Sequence, residues 1–161
     1  MLKKFLQIAF LGSFFLAACG AVTEAPPSTA VSTAEPAKDT LPALGDTWTI
    51  TMTHSGGIMG LMRSIEVDSR GAYTVQDDRG NQKISGQLSE EELANLVDVI
   101  NASSYQPEKR PHGCADCFIY TLQIISENSK FSAVVDDISI EESGLSALVT
   151  ALRDIIDREI K

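Results

Sequence analysis

The chain has 161 residues, 43% of them hydrophobic, and a net charge of −9, which fits one folded domain with additional segments. This acidity argues against a nucleic-acid partner, because nucleic acid binds clustered lysine and arginine, and against attraction to anionic lipid headgroups. Beyond its amino terminus, the sequence offers no apolar stretch long enough to span a bilayer.

The amino-terminal residues have the layout of a secretory signal. Lys3 and Lys4 precede an apolar run over residues 5–16, and small residues then lead to Cys19. The run is too short for a spanning helix, so we predict a signal peptide over residues 1–18 that is removed. Leu-Ala-Ala-Cys resembles the bacterial lipobox, which implies that Cys19 carries lipid such as palmitate and anchors the exported protein. An ordinary signal peptide with an unmodified cysteine is the alternative.

Residues 19–45 are rich in Ala, Thr, Ser and Pro. Such a segment buries too little apolar surface to offset the entropy of ordering, so we predict a disordered tether. It would hold a single domain over residues 46–161 clear of a membrane surface. Gly20 stands where an aspartate would resemble an inner-membrane retention signal, which favours the outer membrane in a bacterium with two membranes.

Alternating apolar residues predict four strands at the start of the domain. The strands are marked by Trp48, Ile50 and Met52; by Met59, Leu61, Ile65 and Val67; by Tyr73 and Val75; and by Ile84, Gly86 and Leu88. Turns are expected at residues 55–57, 68–71 and 77–81. By its parity in the second strand, Arg63 falls on the apolar face, which conflicts with its charge.

A helix is predicted after the fourth strand, because Ser89 and Glu92 have capping-box spacing ahead of an apolar stripe. Two more strands, over residues 118–124 and 131–135, and an apolar carboxy-terminal helix follow. The order ββββαββα with short turns predicts an α+β domain, an antiparallel sheet with two helices packed on one face.

Residues 55–63, Ser-Gly-Gly-Ile-Met-Gly-Leu-Met-Arg, resemble the opening pattern of the emfourin family, small inhibitors of thermolysin-like metallopeptidases. The resemblance continues at residues 65–68, 88–92, 115–116 and 120–122, and covers residues 48–160. Two features depart from the family pattern. This chain inserts a hairpin over residues 71–86, and it contains a cysteine pair after residue 113.

The resemblance implies a partner-binding edge at the Ser-Gly-Gly turn. Its residues would be Ser55, Gly56, Gly57, Ile58, Met59, Gly60 and Arg63. Glycines allow close backbone approach to another surface, and methionine adapts to irregular pockets. The alternative is a plain hairpin turn whose apolar residues belong to the core. Arg63 is expected either to turn outward at a bulge or to be buried and paired with an acid such as Asp116.

Cys114 and Cys117 form a C-x-x-C pair, for which export favours a disulfide. Free thiols are one alternative, and a zinc site completed by His54 and His112 is another. A thioredoxin-like redox site would need a helix after the first cysteine, whereas a strand is predicted here.

No set of residues in the sequence resembles a catalytic site, so we predict a non-enzyme that needs no metal or cofactor. Three functions compete. The first is a membrane-anchored inhibitor of a thermolysin-like metallopeptidase. The second is a non-inhibitory envelope lipoprotein or binding module, and the third is a redox or metal protein that uses Cys114 and Cys117.

Overall fold

The computed structural model describes residues 39–107, 114–127 and 129–160. The predicted signal peptide, Cys19, most of the predicted tether and His112 lie outside the described residues. Within the described ranges, no helix has the length and apolar character needed to cross a membrane.

The described chain forms a six-stranded antiparallel sheet, a short two-stranded ribbon and helices. The strands are β1 (Asp39–Thr40), β2 (Trp48–Gly56), β3 (Leu61–Asp68), β4 (Ala72–Asp77), β5 (Gln82–Gln87), β6 (Ser104–Tyr105), β7 (Phe118–Ser126) and β8 (Ser129–Asp136). The helices are α1 (Glu90–Ala102), α2 (Ile140–Ser143) and α3 (Ser146–Glu159). The large sheet has the order β5-β4-β3-β2-β7-β8. The predicted α+β class is confirmed, and β1, β6 and α2 are additions to the predicted order.

One face of the sheet forms the core together with α1 and α3. Alternate residues of β2, such as Ile50 and Met52, are fully buried, as the period of two predicts. Leu96 from α1 and Leu152 from α3 belong to the same buried cluster, so both helices cover this face. The opposite face carries the partly exposed threonines of β2.

The start of α1 is fixed by the predicted capping box. The backbone N–H of Glu92 donates to Ser89 Oγ at 3.2 Å, and the backbone N–H of Ser89 donates to Glu92 Oε2 at 2.8 Å. These bonds satisfy amides that have no partner within the first helical turn.

The folded domain begins before the predicted boundary at residue 46. Strand β1 pairs with β6, Leu41 is only 7% exposed within the core, and the N–H of Gly45 donates to Ser126 Oγ at 2.9 Å. The described residues of the predicted tether, 39–45, are therefore part of the domain. These residues are predicted as tether because residues 19–45 as a whole are rich in Ala, Thr, Ser and Pro, which hides the apolar contribution of Leu41.

Candidate functional site

The Ser-Gly-Gly turn joins β2 to β3 at one end of the sheet. Gly56, Gly57 and Gly60 have φ of 99°, 69° and 62°, which side chains other than glycine rarely adopt. The turn places Ile58 and Met59 in solvent, with exposed fractions of 87% and 74%. The prediction that Met59 lies on the core face of the second strand is wrong, because the strand begins only at Leu61.

The turn rests against the segment that leads into β7. Cys114 and Cys117 form a disulfide with a Cα–Cα distance of 5.3 Å, and the carbonyl oxygen of Cys117 accepts the N–H of Gly57 at 3.1 Å. A Cβ at Gly57 would lie 2.6 Å from the ring of Phe118. The Phe118 ring therefore packs directly on Gly57, where the φ of 69° favours glycine.

The β4–β5 hairpin supports the turn from the other side. The guanidinium of Arg79 donates to the carbonyl oxygen of Met59, and the N–H of Asp78 donates to that of Met62 at 3.0 Å. Asp77 closes this hairpin by accepting the N–H groups of Arg79 and Gly80 at 3.0 and 2.9 Å. The N–H of Gly80, together with the charge of Arg63, holds the pKa of Asp77 below its ordinary value.

Arg63 points inward and forms two ion pairs. Its Nε lies 3.1 Å from Asp77 Oδ2, and its terminal nitrogen lies 3.3 Å from Asp157 Oδ1 of α3. The expectation that Arg63 turns outward at a bulge is wrong, and so is its pairing with Asp116, which is exposed. The acid directly across the β3–β4 ladder, Asp77, is the actual partner.

Several exposed apolar side chains occur at the end of the sheet where β2 and β8 end and β3 and β7 begin, with Met62 on the outer face and Phe118 on the core face. We call this set the apolar end; it consists of Ile58, Met59, Met62, Phe118 and Ile138, with exposed fractions of 87, 74, 41, 36 and 55%. Sequence reasoning missed Phe118 and Ile138. Phe118 has core parity but lies at the first position of its strand, and Ile138 follows an acidic pair with no periodic signal.

A polar cluster lies behind the apolar end, between the sheet and α3. The His54 ring lies 4.9 Å from that of Phe118, edge to face, and stacks on that of Tyr120 at 4.8 Å. The hydroxyl of Tyr120 donates to Asp137 Oδ1 at 3.1 Å and accepts from Arg153 at 3.4 Å. Burial is the main cause that raises the pKa of Tyr120 above its ordinary value.

Some residues of the predicted partner-binding edge are exposed, and others are partly buried and shape the turn. Ile58 and Met59 are fully presented, whereas Ser55, Gly56 and Gly57 are partly buried and shape the turn. Both sulfur atoms of the cysteine pair are used by the disulfide, so neither thiol is free to bind metal. No group of three or more metal-ligating side chains occurs within the described residues.

A scan against models of protein families finds no match to this chain, and a search of curated proteins finds no matching relative. The relation to the emfourin family remains an expectation based on the motif at residues 55–63 and the residues that follow it.

Proposed function

We propose that this chain is an exported lipoprotein, anchored through Cys19, whose domain binds a protein partner through the apolar end. The partner that we propose is a thermolysin-like metallopeptidase, which the domain inhibits. The observation that carries the proposal is the exposure of Ile58 and Met59 on a turn that is braced from two sides.

The exposure of these side chains favours binding. Exposed apolar groups that lie together on a small domain are typical of interaction sites, because burying them on a partner removes unfavourable contact with water. Ile58 and Met59 lie at the tip of the turn, where they can enter a concave surface. Bulky apolar residues of this kind are what a thermolysin-like enzyme favours beside the bond that it cuts.

The rigidity of the turn favours inhibition over cleavage. The Gly57–Cys117 hydrogen bond, the disulfide beside it and the contact of Arg79 with Met59 hold the backbone in its conformation. A preorganised loop loses little entropy on binding and resists the extended conformation that a peptidase needs for cleavage. The inserted hairpin, which departs from the family pattern, contributes one of these supports.

The test is an inhibition assay with the intact protein in detergent and a thermolysin-like peptidase. We expect inhibition at near-stoichiometric ratio and an uncut inhibitor by mass spectrometry. Binding without inhibition would support a non-inhibitory binding module instead. The anchor is tested separately: Cys19→Ser should move the protein from the membrane fraction to the soluble fraction, and unchanged fractionation would refute lipidation.

A further inference from the structure

His54 is a buried titratable side chain directly behind the apolar end. It is 5% exposed, and its Nε2 has no hydrogen-bond partner among the described residues. Burial, followed by the nearby charge of Arg153, lowers the pKa of His54 below its ordinary value of 6.5. The folded domain therefore favours the neutral imidazole.

The groups around His54 do not offer a ready partner for an imidazolium. Those that face it from the surrounding elements are Arg153 and Asp157 of α3, Arg63 of β3, Tyr120 of β7 and Asp137 after β8. Asp157 is paired with Arg63, and Asp137 already accepts the N–H of Phe118 at 2.9 Å and the hydroxyl of Tyr120. The carboxylates of Asp157 and Asp137 are therefore already paired with other groups. The positive charge of Arg153 disfavours a positive charge on the His54 ring.

A direct chain of contacts leads from His54 to the partner-binding turn. The His54 ring touches Phe118, and the Phe118 ring lies against Gly57. The N–H of Gly57 is in turn bonded to the carbonyl of Cys117. A charged imidazole would require hydration. The Phe118 ring touches His54 and is itself 36% exposed, so its displacement would open a path for water to the imidazole.

We infer that protonation of His54 displaces Phe118 and releases the turn at Gly57, so that the apolar end loses its partner in acidic medium. The loss of the partner rests on the proposed function of the apolar end, whereas the conformational step does not. His54 thus acts as a proton-sensitive support of the binding surface.

The conformational step is tested by NMR on the intact protein in detergent between pH 8 and pH 5. The protection factor of the Gly57 amide, corrected for intrinsic exchange, should fall by up to about tenfold per pH unit as the pH drops below the ordinary histidine pKa of 6.5, and should level off below the midpoint of the His54 ring titration in the folded protein. Ile50, near the other end of β2, should keep its protection. Protection of Gly57 that stays constant while His54 titrates would overturn the inference.

Two variants assign the effect to one histidine. His54→Gln should make the protection of Gly57 independent of pH, and His54→Phe serves the same purpose if the glutamine variant is unstable. His112→Gln, which removes the other histidine of the chain, should leave the effect unchanged. A pH effect that survives loss of His54 would refute the assignment.

The binding step is tested by the inhibition constant for the metallopeptidase, measured against His54→Gln at each pH to cancel the titration of the enzyme. Wild-type affinity should fall relative to the variant by at most about tenfold per pH unit, since one proton is involved. A constant ratio would overturn the loss of the partner. Absence of inhibition at pH 8 would instead refute the proposed function, and the NMR result would still decide the conformational step.

Discussion

The N–H of Gly57 donates a hydrogen bond to the carbonyl oxygen of Cys117 at 3.1 Å, which joins the tip of the β2–β3 hairpin to the disulfide turn. Two segments far apart in sequence are thereby fixed to each other at one end of the sheet. The exposed side chains of Ile58 and Met59 depend on this connection for their position.

Removal of the disulfide should weaken both partner binding and folding. The loop that it closes is short, so Cys114→Ser with Cys117→Ser should lower the free energy of unfolding by about 2 kcal/mol or less. Affinity should fall about tenfold or more, because the support of Gly57 is loosened. Urea unfolding and the inhibition constant measure the two effects, and unchanged affinity would show that the disulfide is irrelevant to the site.

Charge reversal at Arg63 should destabilise the domain. Arg63→Glu would place a third carboxylate beside Asp77 and Asp157, so we expect the free energy of unfolding to fall by about 3 kcal/mol. Arg63→Met keeps much of the aliphatic stem and should cost less. Urea unfolding provides the measurement. Wild-type stability with loss of binding alone would mean that Arg63 contacts the partner directly.

Glu92 should contribute to stability in acid. The N–H of Ser89, followed by the side chain of Arg158, lowers the pKa of Glu92 from 4.5 to about 2. As pH falls, the unfolded chain takes up this proton first, so the contribution is complete above pH 4.5 and is lost between there and about pH 2. Its side chain is 42% exposed, so solvent screening limits the contribution to about 1 kcal/mol.

The matched variant for this prediction is Glu92→Gln, which retains the capping acceptor and removes the charge. Unfolding free energies of both proteins at pH 7, 4 and 2.5 should converge as the solution becomes acidic. A difference that stays constant across this range would disprove the linkage.

The segment before β2 should behave as part of the domain. Leu41 is 7% exposed, so Leu41→Ala should reduce the free energy of unfolding by about 2–3 kcal/mol. Ile58→Ala, at a side chain 87% exposed, is the control and should cost almost nothing. Equal effects in thermal unfolding would show that residues 39–45 are a tether after all.

Local patterns predicted the main elements because those elements are locally determined. The alternation of apolar and polar residues around Ile50 and Met52 predicts a strand with one buried face. The spacing of Ser89 and Glu92 predicts the start of a helix. Neither signal depends on tertiary contacts, and both elements are present in the structure.

The candidate site was only partly predictable because its contacts join distant segments. The ion-pair partner of Arg63 depends on the pairing register of β3 and β4, which the alternation of apolar residues does not specify. The contact of Arg79 with Met59 forms only because the β2–β3 and β4–β5 hairpins lie next to each other. The exposure of Phe118 arises because strand ends can project beyond the helices that cover the sheet, whereas periodicity alone assigns Phe118 to the core.

The most direct test of the account is the inhibition constant of the intact protein for a thermolysin-like metallopeptidase, compared among wild type, Met59→Asp and Ile125→Asp. Ile125 is 44% exposed and pairs with Thr49, near the opposite end of β2, so it is a matched surface control. We predict inhibition by wild type, a loss of about thirtyfold or more for Met59→Asp, and a change within about twofold for Ile125→Asp. Absence of inhibition by wild type, or equal losses in the two variants, would contradict the account.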